Sequence, residues 1–195
     1  MRKITEIIVH HTASDRDTTT AKAVDRYHRD KDWGGGARAA KSSLGWYITY
    51  HYFIEASGRV IQCAKDSEIR WHAAAQNPYS LGICLAGWFD DGHDTKPTDA
   101  QVQALKSLLN AKSKEYGITK AHINPHRKFA RKSCYGYHLS DTWAADLLNG
   151  TVYQITDPRH LSRYRPDQTI KRADGSIILK EGVTPLPGTT KTLIQ

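Results

Sequence analysis

The chain has 195 residues, 39% hydrophobic and 25% charged, with 28 Lys and Arg against 20 Asp and Glu for a formal net charge of +8. That length supports one domain with a real core plus an appendage, and the composition is that of an ordinary globular protein. No run approaches the ~18 apolar residues of a membrane-spanning helix, and the three cysteines, Cys63, Cys84 and Cys134, have no paired spacing that would argue for a disulfide framework.

The start, MRKITEIIVHHTAS, has a basic pair but only a short apolar run, so it reads as a first strand and not as a signal peptide. Accumulation in the cytoplasm, unless something else exports the chain, is the expectation. Residues 4–10 (ITEIIVH) predict a buried strand. Residues 24–33 (VDRYHRDKDW) set Val24, Tyr27 and His28 on one face of a helix. The Gly-, Ala- and Ser-rich 34–45 is a loop. Residues 46–55 (WYITYHYFIE) are rich in β-branched and aromatic types and predict a strand. Ser57-Gly58 turns it, and 59–64 returns as the second arm of a hairpin. SLGICLAGW (80–88) predicts a buried strand, with Gly82 and Gly87 at close backbone approaches. Thr98 caps a helix over 99–116, Gln101 completes a capping box, and Gly117 stops it. A short strand and loop fill 118–126, and a last helix over 140–149 ends at Gly150. Short strands alternating with helices predict an α/β fold with one central mixed β-sheet flanked by helices, over residues 1–150.

Residues 151–195 differ. They hold four of the seven prolines and several basic residues. One small hairpin around Asp174-Gly175 is the most structure they suggest. The segment reads as a basic, Pro-containing C-terminal extension and not an independent domain, with a compact binding module as the alternative.

The net charge favours polyanionic partners without choosing among nucleic acid, anionic lipid and cell wall. No nucleic-acid motif or interleaved basic and aromatic stripe is present, so a nucleic-acid partner is not expected. Among the ten histidines, His28, His93, His138 and His160 sit in polar surroundings and read as ordinary surface residues. His10 and His11 end an apolar strand, a rigid place from which to project a ligand; being adjacent, they face opposite sides. The bland alternative is a strand-end histidine bonded to backbone. His126 and Cys134 flank a basic loop, HRKFARKSC. Imidazole and thiolate suit zinc, and nearby Lys and Arg favour the thiolate. A basic loop with a chance cysteine is the alternative there. Three protein ligands with a fourth position open is the catalytic pattern for zinc.

These motifs together resemble the type-2 N-acetylmuramoyl-L-alanine amidases, which include small phage lysozyme-type endolysins and the related peptidoglycan recognition proteins. The matching segments are Ile7-Ile8-Val9-His10-His11-Thr12, Trp46 through Ile54, His72 through Gly87, and His126, Lys132 and Cys134 in order. The resemblance covers roughly 3–147. It implies the fold of that family, one Zn2+ on His10, His126 and Cys134, and Tyr50 and Lys132 assisting at the reacting centre. It further implies His72, with Trp46 and Asn77, holding a peptidoglycan substrate. The implied activity is hydrolysis of the amide between N-acetylmuramic acid and L-alanine by a monomeric endolysin. A wall-recycling amidase or a non-catalytic peptidoglycan-binding module are the alternatives; binders of this kind usually lack the cysteine. The chain departs from the family pattern at Thr49, where glycine is common, in the long segment 33–45, and at Tyr135-Gly136, where proline is usual.

Overall fold

The computed structural model describes residues 2–93, 96–148, 151–155, 158–171, 177–179, 186 and 190–193. By contacts the chain divides into two compact units, Met1–Leu148 and Asn149–Gln195.

The first unit is built on a five-stranded sheet in the order β3-β2-β4-β1-β5. The strands are β1 (Glu6–His11), β2 (Tyr52–Ile54), β3 (Val60–Gln62), β4 (Ser80–Leu85) and β5 (Ile123–Pro125). β1 runs parallel to β4 and β5, β2 runs parallel to β4, and β3 closes one edge antiparallel to β2. This is the mixed α/β sheet that the alternation of elements predicts. Every residue of β4 is buried, as a central strand covered on both faces requires.

One face of the sheet carries Ile7, Val9, Leu81, Ile83 and Leu85 against Leu105 and Leu109 of α2 (Asp99–Tyr116) and Ala144 and Ala145 of α3 (Trp143–Asp146). The other face packs Phe53, Cys84 and Ala86 against Ala21 and Val24 of α1 (Ala21–Asp30). Two-residue periodicity sorts the strand residues between these two cores. The helix α2 has its reciprocal capping box, Thr98 accepting from Gln101 N–H and Gln101 from Thr98 N–H, and Gly117 ends it at φ +69°.

Three predicted elements are shorter or shifted. α1 begins at Ala21, because Thr20 caps it by accepting from Ala23 N–H, and it ends before Trp33. The strand expected over 46–55 is confined to Tyr52–Ile54. Its first half has its donors taken from α1: Asp25 Oδ1 accepts Tyr47 N–H, and His28 Nδ1 accepts Thr49 N–H at 3.0 Å. The helix over 140–149 reduces to Trp143–Asp146.

The second unit forms a four-stranded sheet in the order β7-β8-β6-β9. Its elements are β6 (Thr151–Gln154), α4 (Pro158–Leu161), β7 (Thr169–Lys171), β8 (Ile177–Leu179) and β9 (Thr190–Leu193). β7 and β8 are the antiparallel arms of the predicted hairpin, whose turn at Asp174-Gly175 lies outside the described residues. The sheet goes beyond that one hairpin, and Ile155, Tyr164 and Leu179 form a small apolar cluster of its own.

Candidate metal centre and its surroundings

β1 delivers His10 to the α1 face of the sheet. In register, His10 lies beside Cys84 of β4, which lies beside Phe53 of β2. His11 turns to the opposite face, where its Nδ1 accepts Phe89 N–H at 3.2 Å and its ring lies 5.7 Å from that of Phe89. β5 ends at Pro125, so His126 leaves the sheet edge beside His10, with ring centroids 4.5 Å apart. The loop that follows closes on itself through Arg127 N–H donating to Cys134 C=O. That closure returns Cys134 Sγ to 3.7 Å from His10 Nδ1, where it also accepts His11 N–H at 3.4 Å. One ligand atom each from His10, His126 and Cys134 falls within 4.8 Å of the others.

Burial sets the protonation of this cluster. Desolvation holds His10 well below the usual imidazole range, helped by His72, His126, His11 and Lys132. Burial, with the Lys132 charge, lowers His126 to about 4. Both imidazoles are therefore neutral at pH 7, the form that ligates a metal. Cys134 is pushed up to about 12 by burial, which outweighs the favourable His11 N–H, Lys132 and Arg127. Burial thus outweighs the nearby cations that the sequence expectation has lowering this thiol.

His72 was expected on the substrate. The structure buries it behind His10, with Nδ1 at 3.1 Å from His10 Nε2. The hydrogen-bond chain assigns the tautomers. Ser80 Oγ donates to Gln76 C=O at 2.7 Å, leaving its lone pairs to accept from His72 Nε2–H at 3.4 Å. His72 Nδ1 then accepts from His10 Nε2–H, and His10 is left with a bare Nδ1 aimed at Cys134. A partner that fixes the tautomer and ring of a ligand is the usual second layer of a metal site. Gly82 makes room for it, since a Cβ there would lie 2.7 Å from the His72 ring. Asn77, also expected on the substrate, is occupied in the same loop: its Oδ1 accepts His72 N–H at 3.0 Å and Ala73 N–H at 2.7 Å. Trp46 packs on the α1-side core, as Tyr50 does.

Tyr50 lies against the cluster, its ring 4.8 Å from that of His10. Burial raises its hydroxyl well above the ordinary range, and the neighbouring Cys84 and Cys134 thiols add to the rise. Lys132 is exposed on the loop between His126 and Cys134, near enough for its charge to act on all three donors.

Two positioning residues escape the sequence reading. His28, taken there for a surface residue, is buried, accepts Thr49 N–H, and sets its ring 5.6 Å from that of Tyr50. Its place on the helical face shared with Val24 was the available signal. Asp90 accepts Ser133 Oγ–H at 2.8 Å and Tyr137 N–H at 2.7 Å, pinning the loop on either side of Cys134. A cleft of about 400 Å³ opens beside the cluster, lined by Thr12, Ser14, Val24, Tyr27, His28 and Tyr50.

Two imidazoles and a thiol, converging at the end of a parallel strand, make a candidate metal centre of the donor types that zinc prefers. The comparisons with known proteins place the chain in a family of amidases. The N-acetylmuramoyl-L-alanine amidase family matches residues 1–137, and the chain belongs to that family. The endolysin of Escherichia phage T7 is 26% identical over 151 residues, covering 75% of this chain and 91% of that one. Peptidoglycan-recognition protein SC1a of Drosophila melanogaster is 30% identical over 140 residues, 68% of each chain. Among solved structures, the N-acetylmuramoyl-L-alanine amidase LysC from Clostridium intestinale URNW superposes with a TM-score of 0.55 at 22% identity, covering 70% of this chain and 79% of that one. That likeness is one of fold. No described helix is long and apolar enough to cross a membrane.

Proposed function

We propose that the chain hydrolyses the amide between N-acetylmuramic acid and L-alanine in peptidoglycan, with one zinc ion held by His10, His126 and Cys134, and that it serves as a phage or prophage endolysin. The observation that carries this reading is the complete three-donor cluster, with ligand atoms within 4.8 Å, in a member of the amidase family. Two neutral imidazoles and an ionisable thiol fit zinc in donor type and number. When bound, zinc supplies Lewis acidity and a water acidified toward pKa ~7.

The chain's own residues do the rest. His72 Nδ1 accepts His10 Nε2–H and so fixes the His10 ring with its bare Nδ1 turned to the cluster. Lys132 brings an ammonium whose charge reaches the three donors, to stabilise the oxyanion that develops on the amide carbonyl. Tyr50 walls the site beside His10, with a hydroxyl that orients the attacking water or donates to the developing charge. The likeness to peptidoglycan-recognition proteins supports a second reading, recognition of peptidoglycan without cleavage. The intact cysteine ligand favours hydrolysis over it. An endolysin of this kind acts on the wall after release from the cytoplasm.

Mass spectrometry of purified peptidoglycan digested by the full chain tests the proposal. Stem peptides with a new L-alanine amino terminus should appear with zinc present and vanish on chelation. Undiminished release in the chelated, metal-free protein sinks the zinc assignment. Tight wall binding without new amino termini establishes the binding-only reading.

A further inference from the structure

Between His126 and Cys134 the chain makes a closed excursion that carries far more charge than ligand spacing requires. Arg127 N–H donates to Cys134 C=O and Phe129 N–H to His126 C=O, so both ends of the loop are tied. Its outer side opens as a shallow bowl of about 900 Å³, whose lining includes Arg127, Lys128, Arg131, Lys132 and Tyr137 and no carboxylate. Two carboxylates beside the loop are committed to its structure. Asp141 is paired with Arg127, and Asp90 holds Ser133 and Tyr137.

The four cations are not equivalent. Arg127 is structural: beyond Asp141, it donates to the carbonyls of Gly136 and Leu139. Lys128 donates to Asn124 Oδ1 at 2.8 Å, a neutral acceptor that leaves its charge uncompensated. Arg131 and Lys132 are exposed and have no acidic partner among the described residues. Lys132 belongs to both places: it stands in the wall of the bowl, and its charge reaches His10, His126 and Cys134. Residues 127–133, which line the bowl, are the stretch of chain between the donors His126 and Cys134, so the bowl adjoins the cluster.

We propose that this bowl binds the free carboxylates of the peptidoglycan stem peptide, with Arg131 as the specificity-determining residue. The inference rests on the amidase reading above and deepens it. A stem peptide carries carboxylates one or two residues from the scissile amide, at about 3.8 Å per residue. Uncompensated cations in the wall of the bowl prefer a carboxylate to the carboxamide found in amidated stems. The guanidinium of Arg131 is planar and can take a carboxylate with two parallel N–H donors.

The test uses the full chain and two soluble muramyl peptides that differ only in the second stem residue, its α-carboxylate free or amidated. Calorimetric binding to the metal-free protein is measured beside KM for the zinc-loaded protein. The free-carboxylate peptide should bind about five- to tenfold more tightly and show a correspondingly lower KM, as expected for one exposed charge-assisted pair. Arg131→Gln should bring both ratios close to one while zinc content and melting temperature stay at the parent values. Equal binding of the two peptides by the parent chain overturns the proposal, as does an Arg131→Gln chain that keeps the parent ratio. If Arg131→Gln weakens only the salt-sensitive adsorption to whole walls, the bowl serves an anionic wall polymer and the stem-peptide assignment falls. Selective binding without cleavage by the zinc-loaded protein leaves the bowl standing and removes the amidase reading instead.

Discussion

At the scale of single residues, adjacent histidines on one strand have opposite fates. His10 joins the donor cluster, whereas the His11 ring serves the loop at Phe89 and only its backbone, N–H and C=O, touches Cys134. Substituting the His11 side chain leaves that backbone donor in place. His10→Ala and Cys134→Ser should therefore lose bound zinc in a metal-content assay, since each removes a ligand and a hydroxyl replaces thiolate poorly. His11→Ala should retain about one zinc per chain; loss of metal there with retention in His10→Ala reverses the register. His51 gives a separate residue-scale expectation. It is fully buried, accepts Gly82 N–H at Nδ1, and donates Nε2–H to Glu68 C=O. Burial lowers it to about 4. The neutral ring is thus the folded form, and the unfolded chain takes up the proton more readily below pH ~6.5. Its contribution is fully present above that pH and is lost as the pH falls toward 4. The gap corresponds to about 3 kcal/mol, an order-of-magnitude figure. Denaturant midpoints should fall steadily between pH 7 and pH 4.5, and His51→Gln, less stable at neutral pH, should show a shallower fall. A midpoint independent of pH over that window rules the linkage out.

At the scale of elements, legibility followed locality. α2 could be read to the residue because both of its ends are written locally, in Thr98, Gln101 and Gly117. β1 and β4 showed as apolar runs because central strands are buried on both faces. The ordered set of His10, His126, Lys132 and Cys134 was legible as a motif, and the fold brings the three donors together. What failed depended on partners distant in sequence. Residues 46–51 have strand composition, yet Asp25 and His28 of α1 take the backbone donors a ladder would use. No window confined to 46–55 contains that information. The position of His72 behind His10 likewise arises from strand register, with Gly82 leaving the space, and not from any property of residues 70–74. The strands β6 and β9 pair Thr151 with Leu193, a separation that periodicity within either segment cannot reveal.

At the scale of the whole molecule, the three donors, Tyr50 and Lys132 all lie within Met1–Leu148, and so does every residue of the two cores that flank the five-stranded sheet. The unit Asn149–Gln195 has its own sheet and its own apolar cluster. Residues 151–195 carry seven basic side chains, Arg159, Arg163, Arg165, Lys171, Arg172, Lys180 and Lys191, against four acidic ones. Such a surplus attracts an anionic wall or outer-membrane surface through forces that salt screens over ~10 Å at 0.1 M. A chain ending at Leu148 should accordingly fold, bind zinc and cut soluble muramyl peptides at rates near those of the full chain. On whole walls at low salt it should be slower than the full chain, and the two rates should converge as salt rises. The competing arrangement has the second unit supporting the first by packing. Truncation would then lower the melting temperature and precipitate the protein, and the defect would not depend on salt. Thermal denaturation of both chains, run beside wall-lysis rates over a salt series, separates the two, because tethering changes only the rates and packing changes the melting temperature first.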